Sequence, residues 1–147
     1  MSIAQRTVET KWEGTLAKGG GTLNGTSGAL DGQPVSWAAR TEEPGGKTSP
    51  EELAAAAHSS CFSMALALTL GEHKLTPTTL VVGCTVTLDA VDGVPTIVSS
   101  EITVDGDVEG TDAAGFAAIV DEAAAVCPIS RLFAGATITV TTKFKGQ

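Results

Sequence analysis

Two cysteines pose the chemical question in this chain: Cys61, in ELAAAAHSSCFSMALALTL, and Cys127, in DEAAAVCPIS. A single cysteine on an apolar helix face is ordinarily an inert small hydrophobe. Each of these two, however, falls on a predicted alanine-rich helix, and Cys127 stands directly before Pro128. Two helix-borne thiols point to paired chemistry. The third cysteine, Cys84, lies in the alternating row Leu80, Val82, Cys84, Val86, Leu88 and reads as a core residue of a strand.

His58, three residues before Cys61, raises a rival reading: a hydrolase with Cys61 as nucleophile, His58 as its base and Glu51 as the orienting carboxylate. That reading leaves Cys127 without a task. It would also need an oxyanion hole built from helix-interior N–H groups that are already bonded. A structural His58, bonded to a neighbouring backbone or side chain, fits better. As metal ligands, His58 and His73 lie about four turns apart on one helix and cannot chelate together. A site of Cys61, His58 and Cys127 has little else to support it, and neither a metal nor a cofactor is expected.

The element that must position Cys61 is a long buried helix over Ser49–Leu70. Ser49 suits its N-cap, Pro50 its first position, Glu52 a capping box and Gly71 its end. Leu53, Ala57, Cys61, Met64 and Leu68 recur at helical spacing and are expected to face inward. The apolar run is judged too short, and too interrupted by His, Ser and Cys, to cross a membrane. Ahead of it, residues 1–40 read as three antiparallel strands, Val8–Leu16, Thr22–Thr26 and Val35–Thr41, with Trp12 as an apolar anchor and Gly19–Gly21 as a turn. Behind it come Thr79–Leu88, a turn at Asp92-Gly93, Pro95–Val104, a helix capped by Thr111 or Asp112 and running to about Cys127, a further helical turn over Ile129–Ala134, and a last strand over Ala136–Phe144. Phe116, Ile119, Val120 and Ala123 or Ala124 form the second helix's inward stripe.

The order βββ-α-ββ-α-β, with strands in blocks around two central apolar helices, is an α+β fold with antiparallel strands. At 147 residues it is one domain, residues 1–147, able to bury a core without disulfides or metals. The net charge of −8 argues against nucleic acid or an anionic membrane as a partner. Three cysteines and an N-terminus without an apolar signal segment indicate a cytoplasmic chain with reduced thiols. The central helix is apolar over more of its circumference than one sheet can cover, which a homodimer would resolve.

Several stretches carry a specific resemblance: WEG at Trp12–Gly14, SG.L from Ser27, PEEL.AAAH..CFSMAL.L.LGE over Pro50–Glu72, TPT at Thr76–Thr78, and A..CP.S over Ala124–Ser130. By these the chain resembles the OsmC/Ohr family of thiol-dependent organic hydroperoxide reductases, its OsmC branch more than its Ohr branch. The resemblance covers nearly the whole chain. It implies an intertwined homodimer with two active sites at the subunit interface, Cys61 as peroxidatic and Cys127 as resolving cysteine, and an active-site arginine and glutamate at Arg40 and Glu51. It also implies dihydrolipoamide or a lipoylated protein as the dithiol reductant.

Physical chemistry is consistent with those roles. Burial in an apolar face disfavours a thiolate, and Cys61 is too deep in its helix to profit from the terminal dipole, so a side-chain cation must offset the cost. Arg40 can supply it, held by Glu51. The cycle expected is attack by Cys61 on a peroxide, release of an alcohol, and condensation of the sulfenic acid with Cys127. Leu53, Phe62, Met64, Ile129 and Phe133 would favour organic hydroperoxides over hydrogen peroxide. A non-catalytic binding dimer on the same fold is the alternative of a different class.

Overall fold

A computed structural model describes residues 1–146. It holds two compact units, Met1–Leu53 and the remainder from Ala54, with the boundary in the first turn of the long helix.

In the first unit β1 (Val8–Glu13) pairs antiparallel with β2 (Gly20–Gly25), which pairs antiparallel with β3 (Pro34–Val35). Gly20 and Gly21 belong to β2 rather than to the expected turn, which runs from Gly14 to Gly19 and closes with Gly19 N–H donating to the Thr15 carbonyl. Trp12 is half-exposed, its indole N–H donating to the Gly14 carbonyl at 2.9 Å. The third strand is far shorter than Val35–Thr41. Ser36 turns the chain instead, its hydroxyl accepting from Ala39 N–H at 3.2 Å, and caps the short helix α1 (Trp37–Thr41). Arg40 is therefore a helix residue and not the end of a strand.

The long helix α2 (Pro50–Glu72) starts where expected, with Ser49 Oγ accepting from Glu52 N–H at 3.1 Å. The Glu52 carboxylate does not complete the box. It accepts from Thr48 Oγ1 at 3.1 Å. The helix also runs past Gly71, and the left-handed residue at its end is Lys74 (φ 59°), beyond which Leu75 N–H donates to the Leu70 carbonyl. At 23 residues α2 is, against expectation, long and apolar enough to cross a membrane by length and composition alone. The same test is passed by the core helix of a folded unit, and from Ala54 onward α2 is such a helix.

Its buried face, though, is the opposite of the one expected. His58, Phe62, Ala65, Leu66, Thr69 and Leu70 are buried, whereas Met64 and Leu68 are 71% and 62% exposed. The helix is apolar on both sides, so its periodicity fits either face.

The second sheet explains which face won. β4 (Pro77–Val91) and β5 (Val94–Val108) form a long hairpin whose turn places Asp92 and Gly93 at φ 51° and 78°, the conformation a two-residue hairpin loop needs. Both strands are longer than expected. In β5 the alternation continues to its end, with Ser100, Ile102, Val104, Gly106 and Val108 buried while Asp105 and Asp107 point away, so DGDV extends the strand instead of ending it. β6 (Thr137–Lys145) joins β5 in parallel, making this sheet mixed where a wholly antiparallel one was expected. α3 (Ala113–Val126), capped by Asp112, buries Phe116, Ile119, Val120 and Ala123 as read from the sequence. α4 (Pro128–Leu132) follows at once. The core joins Phe62, Leu66 and Leu70 of α2 to Ile102, Val104 and Val108 of β5 and to the α3 stripe, with Leu80, Val82 and Cys84 of β4 packed against it.

Gly106 marks a close approach of α3 to the sheet. The Phe116 ring lies over it and packs at 5.2 Å on the Phe144 ring, and a Cβ at Gly106 would run into Phe116. Gly106→Ala is expected to cost about 1–3 kcal/mol in denaturant unfolding, the range for overpacking a core. An unchanged midpoint would show that α3 can lift without cost.

Candidate active site

The first unit holds the cation. Ser36 starts α1 so that Arg40 lies one turn on, while the cap at Ser49 places Glu51 in the first turn of α2. Arg40 Nε donates to Glu51 Oε1 and Oε2 at 2.9 and 3.1 Å, and Nη2 donates to Oε1 at 2.6 Å. This two-pronged geometry fixes the guanidinium plane. Arg40 also sits 5.8 Å from the centre of the Trp37 ring. Among the described residues its Nη1 makes no hydrogen bond, which leaves donors available beside a small pocket lined by Trp12, Leu16, Val35, Trp37 and Pro50.

The second unit holds the thiols. Cys127 is the C-cap of α3, where Pro128 forbids continuation and turns the chain into α4. It is fully buried, whereas Cys61 on α2 is half-buried, and all three cysteines are free thiols. Cys61 and Cys127 are brought together. Burial pushes the Cys61 thiol above its ordinary value, the Ile129 backbone N–H works against that by donating toward the sulfur, and the Cys127 thiol beside it pushes it up further. Cys61, Met64, Ala65, Leu68, Val126 and Pro128 line an open apolar groove of about 320 Å³. Of the side chains expected to shape this surface, Met64 lines the groove, but Phe62 is turned into the core and Phe133 lies against His58.

His58 does not serve Cys61. Its Nδ1 is bonded to Ser100 Oγ at 2.6 Å and its Nε2 to Ser130 Oγ at 2.7 Å, so both ring nitrogens are engaged, and Arg40 occupies the Glu51 carboxylate that a Cys-His hydrolase would need. The structural reading of His58 holds. Ser100 and Ser130 were not read as partners of His58, because they lie 42 and 72 residues from it; Ser130 stood only as the last residue of the A..CP.S stretch and nothing local marked Ser100. Cys84 is half-buried, its sulfur 3.2 Å from Ser100 Oγ, and burial raises its pKa while that hydroxyl lowers it. Among the described residues, no three His, Cys, Asp or Glu side chains converge to hold a metal ion.

Burial also holds His58 below its ordinary 6.5. A lowered pKa means that the unfolded chain takes up the proton first, so this contribution to stability is present above about pH 6.5 and is lost as pH falls through the folded value. Unfolding followed from pH 7 to 5 is expected to show a fall in stability that His58→Gln reduces. Parallel curves for the two proteins would remove His58 as its source.

A family profile described as OsmC-like protein matches residues 43–143. The chain is 42% identical over 124 residues, 84% of its length and 86% of the relative's, to Peroxiredoxin OsmC of Escherichia coli (strain K12). It is 33% identical over 123 residues, 80% of its length and 84% of the relative's, to an organic hydroperoxide resistance protein-like chain of Mycoplasma pneumoniae. The crystal structure of the organic hydroperoxide resistance protein OhrB of Bacillus subtilis superposes with a TM-score of 0.73 over 98% of this chain and 100% of that one, at 22% identity, which shows a shared fold. With the profile spanning most of the chain and a curated relative this similar over 84% of it, the protein belongs to the OsmC-like family.

Proposed function

We propose that this protein is a thiol-dependent peroxidase that reduces organic hydroperoxides, and hydrogen peroxide more weakly. The observation that carries the reading is the juxtaposition of the Cys61 thiol, at the edge of an apolar groove, with the buried Cys127 thiol. The names of its relatives, a peroxiredoxin and an organic hydroperoxide resistance protein-like chain, point the same way.

In the proposed cycle the Cys61 thiolate attacks the terminal oxygen of the hydroperoxide, the O–O bond breaks, and the alkoxide takes up a proton and leaves as the alcohol. Cys61, now a sulfenic acid, condenses with the Cys127 thiol to a disulfide and water. A dithiol reductant, in our reading dihydrolipoamide or a lipoylated protein, restores both thiols by exchange and is itself oxidised to a disulfide. The groups acting on Cys61 within its own unit leave its pKa raised, so the thiolate needs a cation. We assign that task to Arg40, with Glu51 fixing the guanidinium.

The assembly proposed is a homodimer. Met64, Leu68 and Val126, more than half exposed beside Cys61, form an apolar surface that a second copy would cover, and light scattering should return twice the 14.8 kDa chain mass.

The test is to add one equivalent of cumene hydroperoxide to the reduced protein and map the cysteines by mass spectrometry. The expected product is one Cys61–Cys127 disulfide per chain with Cys84 still a thiol. Unmodified Cys61 and Cys127 would overturn the reading in favour of a binding dimer.

A further inference from the structure

The core of the second unit contains a run of polar side chains that the thiol cycle leaves unused. The Cys84 sulfur on β4 meets Ser100 Oγ on β5 at 3.2 Å, Ser100 Oγ meets His58 Nδ1 on α2 at 2.6 Å, and His58 Nε2 meets Ser130 Oγ on α4 at 2.7 Å. His58 and Ser100 have no exposed surface. Polar groups in such a place cost stability unless every one is bonded, and apolar side chains of similar size would fill the space without that risk. Here the bonding is complete: no buried side-chain nitrogen or oxygen among the described residues lacks a partner.

What the run connects suggests its use. α4 is five residues long, has no fully buried residue and no side-chain cap, and so has little of its own to fix it in place. Yet Cys127 is its N-cap, Ile129 donates its N–H toward Cys61, and Ser130 is the next residue. The His58 ring, one turn before Cys61 on α2, bonds Ser130 and receives Phe133, at the other end of α4, edge-on at 5.4 Å. One buried ring thus grips α4 at two points.

We infer that His58, acting through Ser130, is a positioning residue that holds α4 against α2 and so sets the approach of the Cys127 sulfur to Cys61. This rests on the reading of Cys61 and Cys127 as a redox pair. Both ring nitrogens are bonded to serines, so the ring hydrogen-bonds neither sulfur. Its contribution is to raise the effective concentration of Cys127 at Cys61, so that the sulfenic acid is captured, with loss of water, before further oxidation.

The effective concentration can be measured without any peroxide. The protein is equilibrated in glutathione redox buffers, in which two glutathione thiols reduce the protein disulfide and are oxidised to glutathione disulfide, and the Cys61–Cys127 bond is read by mass. Ser130→Ala is expected to lower the effective concentration about tenfold, which for a two-electron couple makes the potential about 30 mV less negative. Ser130→Thr, which keeps the hydroxyl, should restore it. Ser100→Ala removes the other bond to the same ring and should cost stability with a much smaller change in potential. Should Ser130→Ala not fold, His58→Gln replaces it and is expected to move the potential in the same direction.

The inference is overturned if neither Ser130→Ala nor His58→Gln moves the potential, if Ser130→Thr fails to restore it, or if Ser100→Ala moves it equally far. A wild-type protein that forms no Cys61–Cys127 disulfide in an oxidising buffer would instead bring down the redox-pair reading itself, and this inference with it.

Discussion

Cys61→Ser should abolish turnover of cumene hydroperoxide in the presence of a dithiol, lowering kcat/KM by about 10³-fold or more, the scale of loss when a covalent nucleophile is removed. A serine hydroxyl at that position is neither ionised nor soft enough to attack the O–O bond. The neighbouring thiols should behave differently. Cys127→Ser keeps the attacking thiolate, so Cys61 should consume one equivalent of peroxide in forming the sulfenic acid and a second in reaching the sulfinic acid, and then stall. Cys84→Ser should match wild type within about twofold, since its sulfur bonds Ser100 in the core and lies outside the groove. The groove also predicts an order of substrates. Burying about two methylene equivalents of an alkyl group, at ~0.8 kcal/mol each, favours an organic hydroperoxide over hydrogen peroxide by roughly tenfold. Stopped-flow consumption of both peroxides by the four proteins checks all of this. Equal rates for wild type and Cys61→Ser would remove Cys61 from the reaction.

What was legible in the sequence follows from where the determining contacts lie. Local signals read correctly: Ser49 and Asp112 cap their helices, Asp92-Gly93 turns the hairpin, and the α3 stripe is the buried one. The structure also brings Cys61 and Cys127 side by side, although they are distant in sequence, and both sit in motifs that carry the family resemblance. The misreadings share one cause, a tertiary choice that local pattern leaves open. Alternation through Val35–Thr41 fits a strand, but a single serine cap at Ser36 makes most of it a helix and carries Arg40 with it. On α2 the stripe Leu53, Ala57, Cys61, Met64, Leu68 and the stripe His58, Phe62, Leu66, Thr69 have equal helical spacing. A histidine counts against the second until Ser100 and Ser130 arrive from other elements to satisfy it. The reversed face has a functional consequence, since it leaves Cys61 at the edge of an open groove instead of inside the core.

Replacing Arg40 should have the next largest effect, with a signature that separates charge from geometry. Burial and the Cys127 thiol disfavour the Cys61 thiolate, and among the described residues of that unit only the Ile129 N–H opposes them. If Arg40 supplies the missing cation, Arg40→Met lowers the thiolate fraction at neutral pH and removes a donor to the peroxide oxygen, so kcat/KM should fall about 10²-fold and the pH–rate curve should move to higher pH. Arg40→Lys keeps the charge but loses the planar fork that grips Glu51 at 2.6–3.1 Å, so its rate should fall while its pH–rate curve stays near that of wild type. Glu51→Gln supplies the sharpest contrast. It removes the negative charge that offsets Arg40, which favours the thiolate and moves the curve to lower pH, yet it loosens the guanidinium and slows the maximal rate. A guanidinium that acted only in folding would give three variants with reduced stability and superimposable pH–rate curves. Curves displaced in opposite directions by Arg40→Met and Glu51→Gln require the charge to be felt at the reacting sulfur.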